Sequence, residues 1–246
     1  MMKNFKLIIE YDGSAYHGWQ RQKTESTVQS EIEKALITMT GQRVVLIGSG
    51  RTDAGVHALG QVANFRIETE LNSEIFQKGL NSLLPEDIVI RECAQVDTSF
   101  HARYDAVSKT YHYRILNRRI PSAICRQYAW FVPKTLDHSA MSRAIGHIIG
   151  EHDFKAFEGV GSPRSKTIRC VKKAVLKKSR NEYLIFEIEA DGFLRFMVRN
   201  IVGTLVDTGL CKITPEDFGN ILLSKDRGLA GATAPPHGLF LMEVKY

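Results

Sequence analysis

Residues 48 to 65 read GSGRTDAGVHALGQVANF, and they set Arg51 and Asp53 two apart in a glycine-rich stretch after the apolar run Val44–Ile47. A carboxylate beside a guanidinium is a chemical device. A neighbouring arginine lowers an Asp pKa by about 1–3, and bidentate contact fixes its geometry. An Asp held ionised in this way suits a nucleophile or a base, not a general acid. The same residues also fit a plain strand-ending turn, where Asp and Gly are common for local reasons; the stretch alone leaves both readings open. Further along, Arg195 and Arg199 stand four apart in DGFLRFMVRNIVG, on one face of an expected helix beside Met197, Ile201 and Leu205. Alone they are ordinary surface charges. With Arg51 and Asp53, Arg199 would complete an ion-paired carboxylate in a cleft. Tyr111 and Tyr113 alternate along SKTYHYRILN, so their rings share one strand face, either packed in the core or offered to a base for stacking.

The elements that must position these groups follow from periodicity. FKLIIEY (5–11) predicts a strand closed by the turn DGSAYHGW. STVQSEIEKALITMTG predicts a helix, with Ser26 and Gln29 as a capping box, Ile32, Ala35, Leu36 and Met39 on its apolar face, and Gly41 ending it. RVVLIGSG and HALGQVANFRIET predict strands, SEIFQKGLNSLLPED a helix stopped by Pro85, and IVIRECAQV a strand. Strand, helix, strand, strand, helix, strand is the split β-α-β order. The later half is looser: strand SKTYHYRILN, helix LDHSAMSRAIGHIIGEH, paired strands RCVKKAVLKKS and EYLIFEIEAD, helices RFMVRNIVGTLVDTG and PEDFGNILLSK, and a closing strand GLFLMEVKY. The fold expected is α+β: two ferredoxin-like, split β-α-β halves, 1–103 and 104–246, sharing a mainly antiparallel sheet with helices on one face and a catalytic cleft between them. GVGSPRSKT (159–167) predicts a mobile loop.

Composition narrows the partners. Hydrophobic residues make up 43% and charged residues 24% of the 246, as in ordinary globular chains. No apolar stretch is long enough for a membrane span, and the N-terminus lacks the pattern of a secretory signal, so a cytoplasmic address is expected. Cys93, Cys125, Cys170 and Cys211 form no C-x-x-C pair, which favours reduced, mostly buried thiols and no metal site. Net charge is +6. Arg164 to Arg180 carries eight Lys/Arg and no acid, and Arg103 to Arg119 carries five against Asp105 alone, interleaved with Tyr104, Tyr111, His112 and Tyr113. Cations meet phosphates and flat rings meet unstacked bases, so the two runs favour nucleic acid.

Four ordered stretches, YDGSAYHGWQRQ, GRTDAGVHALGQVANF, SFHARYDAVSKTYHYRI and GFLRFMVRNIVG, together resemble the tRNA pseudouridine synthase A family over nearly the whole chain. The resemblance implies an isomerase that converts uridine to pseudouridine in the anticodon stem-loop of tRNA, working without a cofactor or metal as a cytoplasmic homodimer. It implies that Asp53 is the essential catalytic residue, that Arg51 helps displace the target base, that Tyr111 lies against the flipped uracil, and that Arg199 pairs with the aspartate. Arg195 is left a phosphate contact at most. A non-catalytic RNA-binding module of ferredoxin-like halves would account for the basic runs, but not for the R-T-D turn.

Overall fold

The computed structural model describes residues 2–161, 166–179 and 182–246. Arg180 and residues 162–165 of the loop expected at 159–167, Arg164 among them, lie outside the described residues. The chain divides into two compact units, one running to Val107 and including Phe240–Tyr246, the other Ser108–Leu239. The closing strand, assigned from sequence to the second half, thus groups with the first.

In the first unit the order is β1 (Met2–Tyr11), α1 (Val28–Thr40), β2 (Ile47–Gly48), β3 (His57–Glu68), α2 (Ser73–Leu83) and β4 (Ile88–Val96). β1 lies antiparallel between β3 and β4, with Leu7 opposite Ala63 and Cys93. β2 extends the sheet on β3, giving the order β4-β1-β3-β2 of the split β-α-β arrangement. Alternate residues Phe5, Leu7, Ile9 and Tyr11 are buried, and the rings of Phe5, Phe65 and Phe76 meet at centroid distances of 4.8–5.5 Å. The closing strand lies parallel to β3, with Phe240 opposite His57.

Two readings of this unit change. The capping box of α1 sits one residue later than expected: Thr27 accepts from the Ser30 N–H and Ser30 Oγ accepts from the Thr27 N–H. Gln29 is unavailable for that task because its side chain turns into the core. RVVLIGSG pairs as a strand only at Ile47–Gly48. At Leu46 the backbone is satisfied by the helix: its N–H donates to Glu33 (3.0 Å) and its carbonyl accepts from Gln29 (3.0 Å).

The second unit contains β5 (Ser108–Asn117), β6 (Trp130–Val132), α3 (His138–Gly146), β7 (Gly150–Asp153), β8 (Ile168–Lys178), β9 (Tyr183–Ala190), α4 (Met197–Gly209) and α5 (Pro215–Ser224). β5, β9, β8 and β7 pair in that order, all antiparallel, with β6 parallel to β5. The helix expected over 136–152 ends at Gly146, and its tail is recruited as β7 against β8, Gly150 opposite Val171. α4 is buried on most of its circumference, Asn200 and Thr204 included, rather than along the one stripe expected. The class is α+β with largely antiparallel strands. Among the described residues no helix is long and apolar enough to cross a membrane. Of the cysteines only Cys93 is buried, and burial pushes its thiol up to about 12; Cys125 and Cys211 are exposed.

Pairing of β8 with β9 divides the basic run. A register shift between Val171 and Lys173 sets Val175 opposite Glu187. Lys173 and Lys177 then flank that carboxylate, each donating to it at 2.6 Å. These two ammonium groups hold the Glu187 carboxyl down at about 2, against an ordinary 4.5. Because the folded value is the depressed one, the stabilisation is present above pH 4.5 and lost as pH falls from there towards 2. Glu187→Gln should therefore cost about 1 kcal/mol at neutral pH, the scale of a half-exposed pair. In urea melts the gap to the wild type should narrow on acidification below pH 4.5; a gap independent of pH would show that the pairs contribute nothing.

Candidate active site

The R-T-D turn is built on backbone contacts. After β2, Ser49 donates its N–H to Val62 (2.7 Å) and its hydroxyl to Gln61 (2.7 Å), while the Gln61 amide donates to the Gly50 carbonyl (3.1 Å). Thr52 is buried. Its hydroxyl shares a hydrogen bond of 2.7 Å with Tyr11 at the end of β1, and its carbonyl accepts from the Trp19 N–H at 3.1 Å. Asp53 is half-buried, its carbonyl accepting from Val56 at 3.2 Å; the next glycine, Gly55, donates to the Tyr16 carbonyl at 3.3 Å.

The segment read from sequence only as a turn, DGSAYHGW, is therefore the wall behind Arg51–Gly55. A Cβ on Gly13 would stand 2.0 Å from the Val56 oxygen, and one on Gly18 would stand 2.6 Å from the Thr52 oxygen, at a φ of +88°. Only glycine permits either approach. Asp12 caps the short turn Gly13–Ala15, and its carboxylate lies 3.0 Å from Nδ1 of the buried His57. The Tyr16 hydroxyl donates to Asp87 at 2.5 Å; burial first, then that carboxylate, raises its pKa. The two glycines were the available signal for this wall.

Arg51 is exposed, but it is tethered. Its Nε donates to Gln20 (3.0 Å), Gln20 donates to Gln29 (2.9 Å), and Gln29 donates to Glu33 (3.0 Å). Glu33, 4% exposed, also accepts from Arg21 at 2.7 Å. A chain of side chains thus runs from the core of α1 to Arg51. This tether is not legible in the sequence, which marks Gln29 as half of a capping box, Gln20 only as part of YDGSAYHGWQRQ, and Glu33 not at all.

Tyr111 and Arg199 belong to the second unit. Tyr111 and Tyr113 do share the buried face of β5. Tyr113 is core: it is wholly buried and its hydroxyl donates to the Pro235 carbonyl at 2.7 Å. Tyr111 keeps 8% exposure and meets the edge of Phe193 at 5.0 Å.

Arg199 is clamped at two points by Ala234, whose carbonyl accepts from its Nε (2.8 Å) and whose N–H donates to its backbone oxygen (3.1 Å). That loop is fixed in turn by Asn200, which accepts from Arg227 (3.1 Å) and from the Thr233 hydroxyl (2.7 Å). Arg195 precedes α4 instead of lying on it. Phe196 between them takes a φ of 62°, rare for a bulky residue, and its ring lies beneath both guanidinium groups at 4.6 and 4.9 Å. Among the described residues no group of three or more His, Cys, Asp or Glu could hold a metal ion.

A rigid turn presenting a carboxylate and a tethered arginine, in an α+β chain of positive charge, is the equipment of an enzyme acting on a polyanion. Residues 7–105 and 144–246 match the family described as tRNA pseudouridine synthase, and the chain belongs to it. Arg51, Asp53 and Arg199 fall inside the matched segments; Tyr111 falls outside them. The chain is 48% identical to tRNA pseudouridine synthase A of Acetivibrio thermocellus and 48% identical to that of Thermoanaerobacter sp., over 100% of each chain. A chain of the archaeal box H/ACA sRNP Nop10–Cbf5 complex aligns at TM-score 0.34 and 12% identity, covering 95% of this chain and 46% of that one. Likeness at that level is too slight to bear on the fold.

The close approach at Gly18 is testable. Gly18→Ala places a methyl against the Thr52 carbonyl in a left-handed conformation and should cost about 1–3 kcal/mol. The melting temperature should fall by about 2–4 °C for each kcal/mol. An unchanged melting temperature would mean that the wall yields freely.

Proposed function

We propose that this chain isomerises uridine to pseudouridine in the anticodon stem-loop of tRNA, as a cytoplasmic homodimer, with Asp53 catalytic and Arg51, Tyr111 and Arg199 binding the nucleotide. The observation that carries the reading is the R-T-D turn, whose residues are braced from Tyr11, Trp19, Tyr16 and Gln61. Membership of the family supplies the reaction class.

The chemistry suits these residue types. Breaking the N1–C1′ bond, turning the uracil and rejoining it through C5 leaves oxidation state and composition unchanged, so the isomerisation consumes no co-reactant. An ionised carboxylate serves at the sugar, by attack at C1′ or by removal of the 2′ proton. The target base must first leave the stack, at a cost of a few kcal/mol. In this reading Arg51, anchored through Gln20, fills the vacated space, and stacking on an aromatic ring returns about 1–3 kcal/mol. Net charge of +6 favours approach of the RNA and makes affinity fall with salt.

Asp53→Asn should abolish pseudouridine formation in a tritium-release assay while tRNA affinity stays within about tenfold, or about 1.4 kcal/mol. Appreciable turnover by that variant would remove Asp53 from catalysis. A wild type that binds tRNA and releases no tritium would favour the binding-module reading. For Tyr111 the discriminating change is to Phe: the melting temperature should hold while single-turnover rate falls, the hydroxyl being needed when the C5 proton leaves. A normal rate in Tyr111→Phe, with Tyr111→Ala unstable but active, would return this ring to the core with Tyr113.

A further inference from the structure

The two basic runs, some sixty residues apart in sequence, converge on one cleft of the second unit, about 820 Å³ in volume, lined among others by Asn117, Arg118, Arg119, His138, Lys178 and Glu182. We propose that this cleft docks the phosphate backbone of the RNA substrate, away from the uridine that is modified. The proposal rests on the reading of the chain as a tRNA-modifying enzyme and adds to it a second point of contact.

Its frame is built. Asn117, at the end of β5, donates to the carbonyls of Val132 (2.9 Å) and Lys134 (2.7 Å) and accepts from the Leu136 N–H (3.2 Å), fixing one wall. Arg118 donates to the carbonyls of Ile120 (2.7 Å) and Pro121 (3.2 Å) and lies 3.9 Å from Glu182, so it shapes the opposite wall. The carboxylate of Glu182 is thereby occupied with Arg118, and that of Asp137 with capping α3. Arg119 and Lys178 form no ion pair among the described residues. They contrast with Lys173 and Lys177, which are both engaged by the Glu187 carboxylate. His138, half-buried on the same cleft, has its pKa lowered by burial and then by Lys178, with Asp137 opposing them.

Two unpaired cations on long stems, in an open and well-framed cleft, suit a phosphate chain read without regard to sequence. A second copy of this chain fits poorly, since like charges would face each other across a two-fold contact. Arg118, just past the end of β5, lies seven residues from Tyr111, a span of about 23 Å for extended chain at about 3.3 Å per residue. That is too far for the target nucleotide itself to bridge. Arg118, Arg119 and His138 also lie in 106–143, outside the segments matched by the family.

The test is Arg119→Gln combined with Lys178→Gln, measured on the full chain with tRNA and with a stem-loop RNA carrying the target uridine alone. For whole tRNA, KM and Kd should rise several-fold with kcat unchanged. The slope of log affinity against log salt should flatten by about 1.4–1.8, the loss of two phosphate contacts. Affinity for the stem-loop should not change, and the charge-preserving pair Arg119→Lys with Lys178→Arg should restore the tRNA slope. An unaltered slope, an equal loss on the stem-loop, or a change of oligomeric mass in sedimentation would each overturn the docking role. Wild-type turnover, measured in the same experiment, tests the proposed reaction separately from the cleft.

Discussion

The backbone of Thr52–Val56 runs so close to the segment Gly13–Trp19 that a methyl at Gly13 or Gly18 would fall 2.0 or 2.6 Å from a carbonyl oxygen. The rest of the site follows from that approach. It lets Trp19 and Tyr16 hydrogen-bond the turn directly, backbone to backbone, with no flexible side chain between. It also brings Thr52 under the Tyr11 hydroxyl, tying the turn to the central strand of its sheet. A side chain carried on such a turn starts from a fixed backbone position, the first requirement of preorganised groups.

The polar interior of α1 serves the same end by different means. A buried carboxylate is costly unless its lone pairs are met. Glu33 meets the Leu46 N–H, the Gln29 amide and the Arg21 guanidinium. These bonds replace strand pairing at Leu46 and continue outward through Gln20 to Arg51. Arg199 is held by another route, through the backbone of Ala234 and the Asn200–Arg227–Thr233 cluster. In both units the cation, Arg51 exposed and Arg199 partly buried, is anchored by neighbours that are themselves fixed in the protein, so its geometry is inherited from the core.

Charge on the second unit is sorted by register. Six of the cations in the run 164–180 lie on described residues, and their alternation along β8 sends neighbours to opposite faces. Glu187 draws Lys173 and Lys177 into ion pairs, whereas Lys178 faces the cleft that Arg119 enters from β5. Net charge states only the excess of cations over anions. The pairing of β8 with β9 decides which of them remain for a polyanion.

Periodicity and residue type determined much of this protein unaided. β4 and β5 fall on the residues expected, and the split β-α-β order of the first unit was legible from alternation and capping, because those signals are local. The R-T-D string marked the turn, and its motif partners marked the family. Tertiary structure decided what local signals cannot carry. The α1 cap moved to Thr27 because Gln29 was needed inside; residues 43–46 left the strand because a helix satisfied Leu46; and the tail of the α3 pattern became β7 because β8 had an edge to pair. Tyr111 and Tyr113 look equivalent by alternation, but the fold buries Tyr113 wholly, its hydroxyl on the Pro235 carbonyl, and leaves Tyr111 8% exposed. Each of these outcomes turns on a partner distant in sequence, so its energy enters only when the chain has folded.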